Sequence, residues 1–193
     1  MTRKYAQTWQ HHIVRYAFAA PYCYRKKVMD AGCQTGWGGN LLSYVANSVT
    51  YVDINENWLG TAKSLRHFCP VDFIAMNFEK EFPDKNVYKQ DTTPPVLGWD
   101  TIVAFVVIEH LENPHIFLEG VKKNLTPGGK FLFSVPHMVE NHEHKQLYDA
   151  TKINDLISKY LKVDAFYVQS SNPITLGPMY GNLRCYVGIG TKE

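Results

Sequence analysis

Short apolar runs alternate with helically periodic segments along almost the whole chain. Residues 3–19 set Tyr5, Trp9, His12, Ile13 and Tyr16 at helical spacing, an amphipathic helix that Pro21 is expected to end. Seven strands are predicted, over Lys27–Ala31, Ser48–Asp53, 71–76, 99–107, 130–135, 163–169 and 183–190. Helices are predicted over 37–46, 55–67, Pro114–Asn124 and 151–161. The run W-D-T-I-V-A-F-V-V has the apolar character of a strand covered on both faces. Residues 78–97 read as irregular, broken by Pro83, Pro94 and Pro95. Strands alternating with helices imply parallel pairing, hence an α/β doubly wound sheet. The last two strands have no helix between them, so an antiparallel hairpin is expected at one edge. Ligands in such sheets sit at the C-terminal strand ends, where the winding reverses.

Composition narrows the class. At 193 residues the chain is one domain's worth, and 45% hydrophobic with 20% charged residues fits a folded globular protein. There is no internal repeat, and no apolar run approaches a membrane span, so no membrane insertion is expected. The N-terminus lacks a secretory apolar region, and the four cysteines form no CxxC pair; both favour a reduced, cytoplasmic protein. The net charge of +2 is not gathered into a basic block, which makes a nucleic-acid partner the less favoured reading without excluding it.

The first strand runs into Gly32, Cys33, Gln34, Thr35, Gly36, Trp37 and Gly38, a G-x-x-x-G-x-G turn leading into a helix. Glycines there let the backbone approach a ligand, and the helix start offers N–H groups to it. The spacing is neither the dinucleotide-binding G-x-G-x-x-G, because Leu41 stands where its third glycine would be, nor a P-loop. Asp53 ends the second strand, at the same edge of the sheet. A carboxylate there accepts hydrogen bonds from two ribose hydroxyls, or caps the helix that follows. Together these features point to a nucleoside ligand without a diphosphate.

V-M-D-A-G-C-Q-T-G-W-G, Y-V-D-I, the run from Trp99 to Leu111, and L-T-P-G-G resemble four successive motifs of the class I S-adenosylmethionine-dependent methyltransferases. The similarity spans nearly the whole chain and is greatest to the subgroup with V-I-E-H-L after the fourth strand, which includes ubiquinone-biosynthesis-like enzymes. It implies a Rossmann-like, seven-stranded, mostly parallel sheet. It implies one methyltransferase domain over residues 1–193, with residues 1–20 as a lid helix, acting as a monomer or homodimer. By the same resemblance Asp30, Gly32, Gly36 and Gly38 shape the loop around the cofactor's methionine part, and Asp53 holds the ribose. Ile54 packs on the adenine, with Asn77, Phe78 and Val106 completing that side. Tyr16, with Arg15, reaches the cofactor carboxylate. Gln34 departs from the family pattern, which has glycine there; its side chain either crowds the cofactor or donates an amide to it.

The resemblance implies transfer of a methyl group to a small-molecule, sugar or lipid-like acceptor, most simply at a hydroxyl oxygen, where a general base helps. His110 is the leading base, followed by His142 and His144. Glu109, His110, Glu112, His142 and His144 also read as a metal cluster. Some RNA 3′-end 2′-O-methyltransferases carry a similar E-x-x-E-H with a later histidine. Val106 stands where the first glutamate of that motif would fall, so no metal is expected. An RNA methyltransferase and a non-catalytic S-adenosylmethionine-binding regulatory module are the alternatives. Met179 and Tyr180 are candidate acceptor contacts.

Overall fold

The computed structural model describes residues 3–83, 98–140, 142–170, 174–176 and 185–193, with the side chains of 3–9 and 176 set aside. The candidate contacts Met179 and Tyr180 lie outside the described residues, as do the side chains of Tyr5 and Trp9. Helices are α1 (Arg3–Cys23), α2 (Trp37–Leu42), α3 (Glu56–Lys63), α4 (Pro114–Asn124) and α5 (Ala150–Ser158). Strands are β1 (Lys27–Ala31), β2 (Ser48–Asp53), β3 (Val71–Ala75), β4 (Trp99–Phe105), β5 (Leu125–Pro136), β6 (Lys162–Gln169), β7 (Ile174–Leu176) and β8 (Cys185–Thr191). They form one sheet in the order β3-β2-β1-β4-β5-β8-β6-β7, an α/β Rossmann-like arrangement.

Side-chain alternation along the strands explains the three layers. Met29, Ile102, Ala104, Phe131 and Phe133 face α4 and α5, meeting Phe117, Leu118, Val121, Ile153 and Ile157. Their sequence neighbours Val28, Val103, Phe105 and Leu132 face the opposite way, onto Tyr16, Ala19, Leu42 and Leu59 of α1, α2 and α3. Both faces of the central strands are therefore covered, as their apolar runs require. Each fully buried Phe or Leu contributes roughly 1.5–3 kcal/mol.

Two features of the sheet correct the sequence expectation. It has eight strands rather than seven, because β7 pairs antiparallel with β6 through Tyr167–Leu176 and its neighbours. The closing pair, β6 with β8, is antiparallel as expected but does not form the edge, because β8 lies between β5 and β6 and β7 flanks β6 on the outside. Helix α1 likewise runs past Pro21. Proline removes only the hydrogen bond to the carbonyl of Ala17, an exposed residue open to water, while Ala19 and Cys23 bury on the sheet.

The parallel part winds outward in both directions from neighbouring β1 and β4. The crevice between the loops leaving these two strands is the switch point of the sheet. Among the described residues no helix is long and apolar enough to cross a membrane.

Candidate functional site

The loop after β1 is built from backbone conformations that side chains resist. Gly32 and Gly36 have φ of +69° and +77°, and Gln34 takes φ +49°. A Cβ on Gly36 would stand 2.4 Å from the Cβ of Ala62, and one on Gly38 2.2 Å from the ring of Tyr16. These two glycines thus let α3 and α1 close on the loop. The backbone N–H of Gln34 donates to Asp53 Oδ2 at 2.8 Å, and the residue is exposed where the two cavities adjoin. Gln34 holds a left-handed conformation at a cost of roughly 1–2 kcal/mol, against which the tie to Asp53 acts.

Asp53 is buried, and its second oxygen accepts the N–H of Asn55 at 2.9 Å. Asn55 then caps α3, its side chain accepting from the N–H groups of Asn57 and Trp58. One carboxylate thereby fixes the glycine loop and the start of α3, and each oxygen keeps a lone pair for a ligand hydroxyl.

Two cavities adjoin at Gly32 and Gln34. The first, about 230 Å³, is lined by His12 and Tyr16 of α1 together with Gly38, Trp37 and Phe105. The second, about 370 Å³, is lined by Asp53, Ile54, Trp58, Asn77, Phe78, Val106 and His110, among others. Their sizes suit a small-molecule site. Ile54 is 64% exposed and Trp58 41%. Exposed apolar side chains of that size on the wall of a cavity, Ile54 just before the cap of α3 and Trp58 in its first turn, fit a flat aromatic ligand. Trp58 is a lining residue that the motifs did not single out. Trp37 and His12 are lining residues that motif reasoning passed over.

Asn77 Oδ1 accepts from the N–H of Glu79 at 2.9 Å, so one lone pair of the expected adenine acceptor is engaged within its own turn. Val106 has φ +63°. A β-branched residue there is strained, and the strain bends the chain out of β4 two residues before the end of its apolar run.

Asp30 lines neither cavity. It is wholly buried, and the Tyr16 hydroxyl donates to its Oδ1 at 2.9 Å. Burial pushes the Asp30 carboxyl up to about 7, with the Tyr16 hydrogen bond pulling the other way. An unfolded Asp releases its proton near pH 3.9. As pH rises from about 4 to 7 the unfolded chain therefore sheds a proton that the folded chain retains, and stability falls through that window. Asp30→Asn removes this dependence. Urea unfolding between pH 5 and pH 8 is expected to show the variant gaining about 2–3 kcal/mol on the wild type. Parallel pH profiles for the two proteins would remove Asp30 from this role.

Beyond Val106 the chain turns once, over Ile108–His110. Glu109 has no exposed surface, and among the described residues neither carboxylate oxygen has a hydrogen-bond partner. Burial pushes its carboxyl up to about 8, with the charge of Arg15 acting in opposition. The carbonyl of Glu109 accepts the N–H groups of Lys145 and Gln146 at 2.8 and 3.1 Å. The His110 Nδ1–H donates to the carbonyl of Glu143 at 3.1 Å. These ties fold the loop after β5 onto the turn and bring His144 against His110, ring centroids 5.0 Å apart. Desolvation lowers the pKa of His110, favouring its neutral form. His142 points away, 87% exposed, 3.8 Å from the Glu143 carboxylate. Glu112 faces Lys145 at 3.6 Å. Of the three candidate bases, His110 and His144 are thus brought together, and only His110 lines a cavity.

Arg15 is buried, its Nε donating to Gln169 Oε1 at 2.8 Å, while Nη1 has no partner among the described residues. It lines neither cavity.

A methyltransferase-domain family profile matches residues 1–165. A protein of Mycolicibacterium smegmatis named "Probable S-adenosylmethionine-dependent methyltransferase" is 30% identical over 184 residues, covering 90% of this chain and 63% of the relative. The ubiquinone biosynthesis O-methyltransferase of Idiomarina loihiensis is 28% identical over 111 residues, 56% of this chain and 42% of the relative. This chain thus spans less than two thirds of the curated relatives it matches. Among solved structures, the N-methyltransferase NodS from Bradyrhizobium japonicum, in complex with S-adenosyl-L-homocysteine, superposes with a TM-score of 0.65 at 14% identity, covering 96% of this chain and 86% of that one.

Proposed function

Because the chain belongs to the methyltransferase-domain family, we propose that it transfers a methyl group from S-adenosylmethionine to a hydroxyl oxygen of a small-molecule, sugar or lipid-like acceptor. The observation that carries the cofactor reading is the pairing of two adjoining cavities with Asp53 at their edge and exposed Ile54 and Trp58 on one wall. The adenine would rest on Ile54 and Trp58, with Phe78 and Asn77 opposite. The ribose hydroxyls would meet Asp53, and the methionine end would lie in the first cavity beside Tyr16, under α1 as a lid. Gly32, common to both cavities together with Gln34, puts no side chain of its own into the passage between them.

Methyl transfer from a sulfonium is an in-line displacement, so most of the acceleration comes from alignment. The acceptor oxygen forms the new O–CH₃ bond while the S–CH₃ bond breaks, its electron pair staying on sulfur. The hydroxyl proton needs a destination, and His110 supplies one on the cavity wall. Its Nδ1–H is held by the Glu143 carbonyl, which leaves Nε2 with the lone pair. The acceptor class rests on the absence of a basic block in the sequence and on the compact cavities, both of which favour a small molecule over a polynucleotide.

Cell extract treated with methyl-labelled S-adenosylmethionine and the purified protein tests this reading. Label is expected in the small-molecule fraction, and His110→Ala is expected to lower its rate of appearance by about 10²–10⁴-fold. Label confined to RNA would replace the acceptor class, and no transfer to any fraction would favour a binding module without catalysis.

A further inference from the structure

Glu109, His110 and His144 form a group that the methyl-transfer reading uses only in part. One ligand-capable atom from each converges within 4.8 Å. The carboxylate is wholly buried, and both its oxygens lack a hydrogen-bond partner among the described residues. A carboxylate taken from water without a hydrogen bond is costly to bury unless a cation or donor meets it. Both imidazoles are oriented by their other nitrogen: His110 Nδ1–H donates to the Glu143 carbonyl at 3.1 Å, and His144 Nδ1–H to the Val139 carbonyl at 2.7 Å. Each ring therefore keeps its Nε2 lone pair unspent. A backbone carbonyl on the far nitrogen is the arrangement that fixes tautomer and direction in metal-ligating histidines.

We infer that Glu109, His110 and His144 bind one divalent first-row transition-metal ion. Two imidazoles and one carboxylate suit zinc, manganese, iron or cobalt better than magnesium or calcium, which favour all-oxygen shells. Three protein ligands leave coordination positions for water or for an oxygen of the acceptor. The site is held by the protein's own backbone: Lys145 and Gln146 donate to the Glu109 carbonyl, so the loop bearing His144 is tied to the turn bearing the other two ligands. The ion and an acceptor proton compete for the same lone pair on His110. With an ion bound, His110 would serve as a ligand rather than a base, and the metal would supply Lewis acidity at an acceptor hydroxyl. The inference does not depend on the methyl-transfer reading, because its readout is ion binding.

Chelator-treated protein titrated calorimetrically with Zn²⁺, Mn²⁺ and Mg²⁺ in turn, with metal content measured after dialysis, tests the site. One ion per chain is expected. His144→Ala, in a partly exposed loop, and Glu109→Gln are each expected to weaken binding by at least about tenfold. His142→Ala, two residues away and pointing outward, is expected to bind as the wild type does. Thermal unfolding of each variant without metal confirms that it is folded, and if Glu109→Gln is not, His144→Ala decides alone. No binding by the wild type, equal binding by wild type and His144→Ala, or tighter binding of Mg²⁺ than of Zn²⁺ would each overturn the site.

Discussion

Asp53→Ala is expected to weaken S-adenosylhomocysteine binding by about 1–3 kcal/mol, or roughly 5- to 150-fold in Kd. The carboxylate acts twice. It would accept the ribose hydroxyls, and it already accepts the N–H groups of Gln34 and Asn55 at 2.8 and 2.9 Å. Alanine leaves both backbone donors without their partner and frees Gln34 from the tie that opposes its φ of +49°. The glycine loop and the start of α3 would then lose their common anchor. Asp53→Asn keeps one oxygen acceptor and is expected to fall between alanine and the wild type. Calorimetric titration of the three proteins checks the series. Equal affinity for all three would remove Asp53 from the site.

Gly36→Ala carries the largest expected effect on stability. The position has φ +77°, and the added Cβ would stand 2.4 Å from Ala62 Cβ and 3.1 Å from Ala62 Cα. Backbone strain of roughly 1–2 kcal/mol adds to an overpacking term of roughly 1–3 kcal/mol, because a helix backbone cannot yield as a flexible side chain can. In a chain of this length the loss lowers Tm by on the order of 10 °C. Displacing α3 also moves Asn55 and Trp58, so cofactor affinity is expected to fall in the same variant. A Tm within about 2 °C of the wild type would show that the loop and α3 relax at little cost. By contrast, Gly128 has φ +73° but open space around its missing Cβ, so alanine there meets only the backbone term.

The parts of this structure that sequence reasoning reached are those governed by period and by local chemistry. The apolar runs of β1, β2 and β4 require cover on both faces, and they have it. Asn113 followed by Pro114 predicts the start of α4 to the residue, because the cap and the proline act within one turn. What escaped depends on the rest of the molecule. β7 is three residues in a Pro- and Gly-bearing segment, and it exists as a strand only because β6 offers an edge to pair with. Pro21 reads as a stop locally, yet the buried faces of Ala19 and Cys23 carry α1 past it. Val106 shows no sign in its residue type of a left-handed backbone. The meeting of His110 with His144 is made by the carbonyls of Glu109 and Glu143, and main-chain acceptors leave no mark in a sequence. Trp58 escaped as well, because its place on the cavity wall depends on how α3 packs after the Asn55 cap.

The central claim is that the loop after β1, Asp53 and the apolar wall of Ile54 and Trp58 form one nucleoside-cofactor site. Calorimetric titration of the wild-type protein with S-adenosyl-L-homocysteine tests it most directly. Saturable binding of one molecule per chain is expected, weakened in Asp53→Ala; absence of binding to the folded wild type would rule the site out.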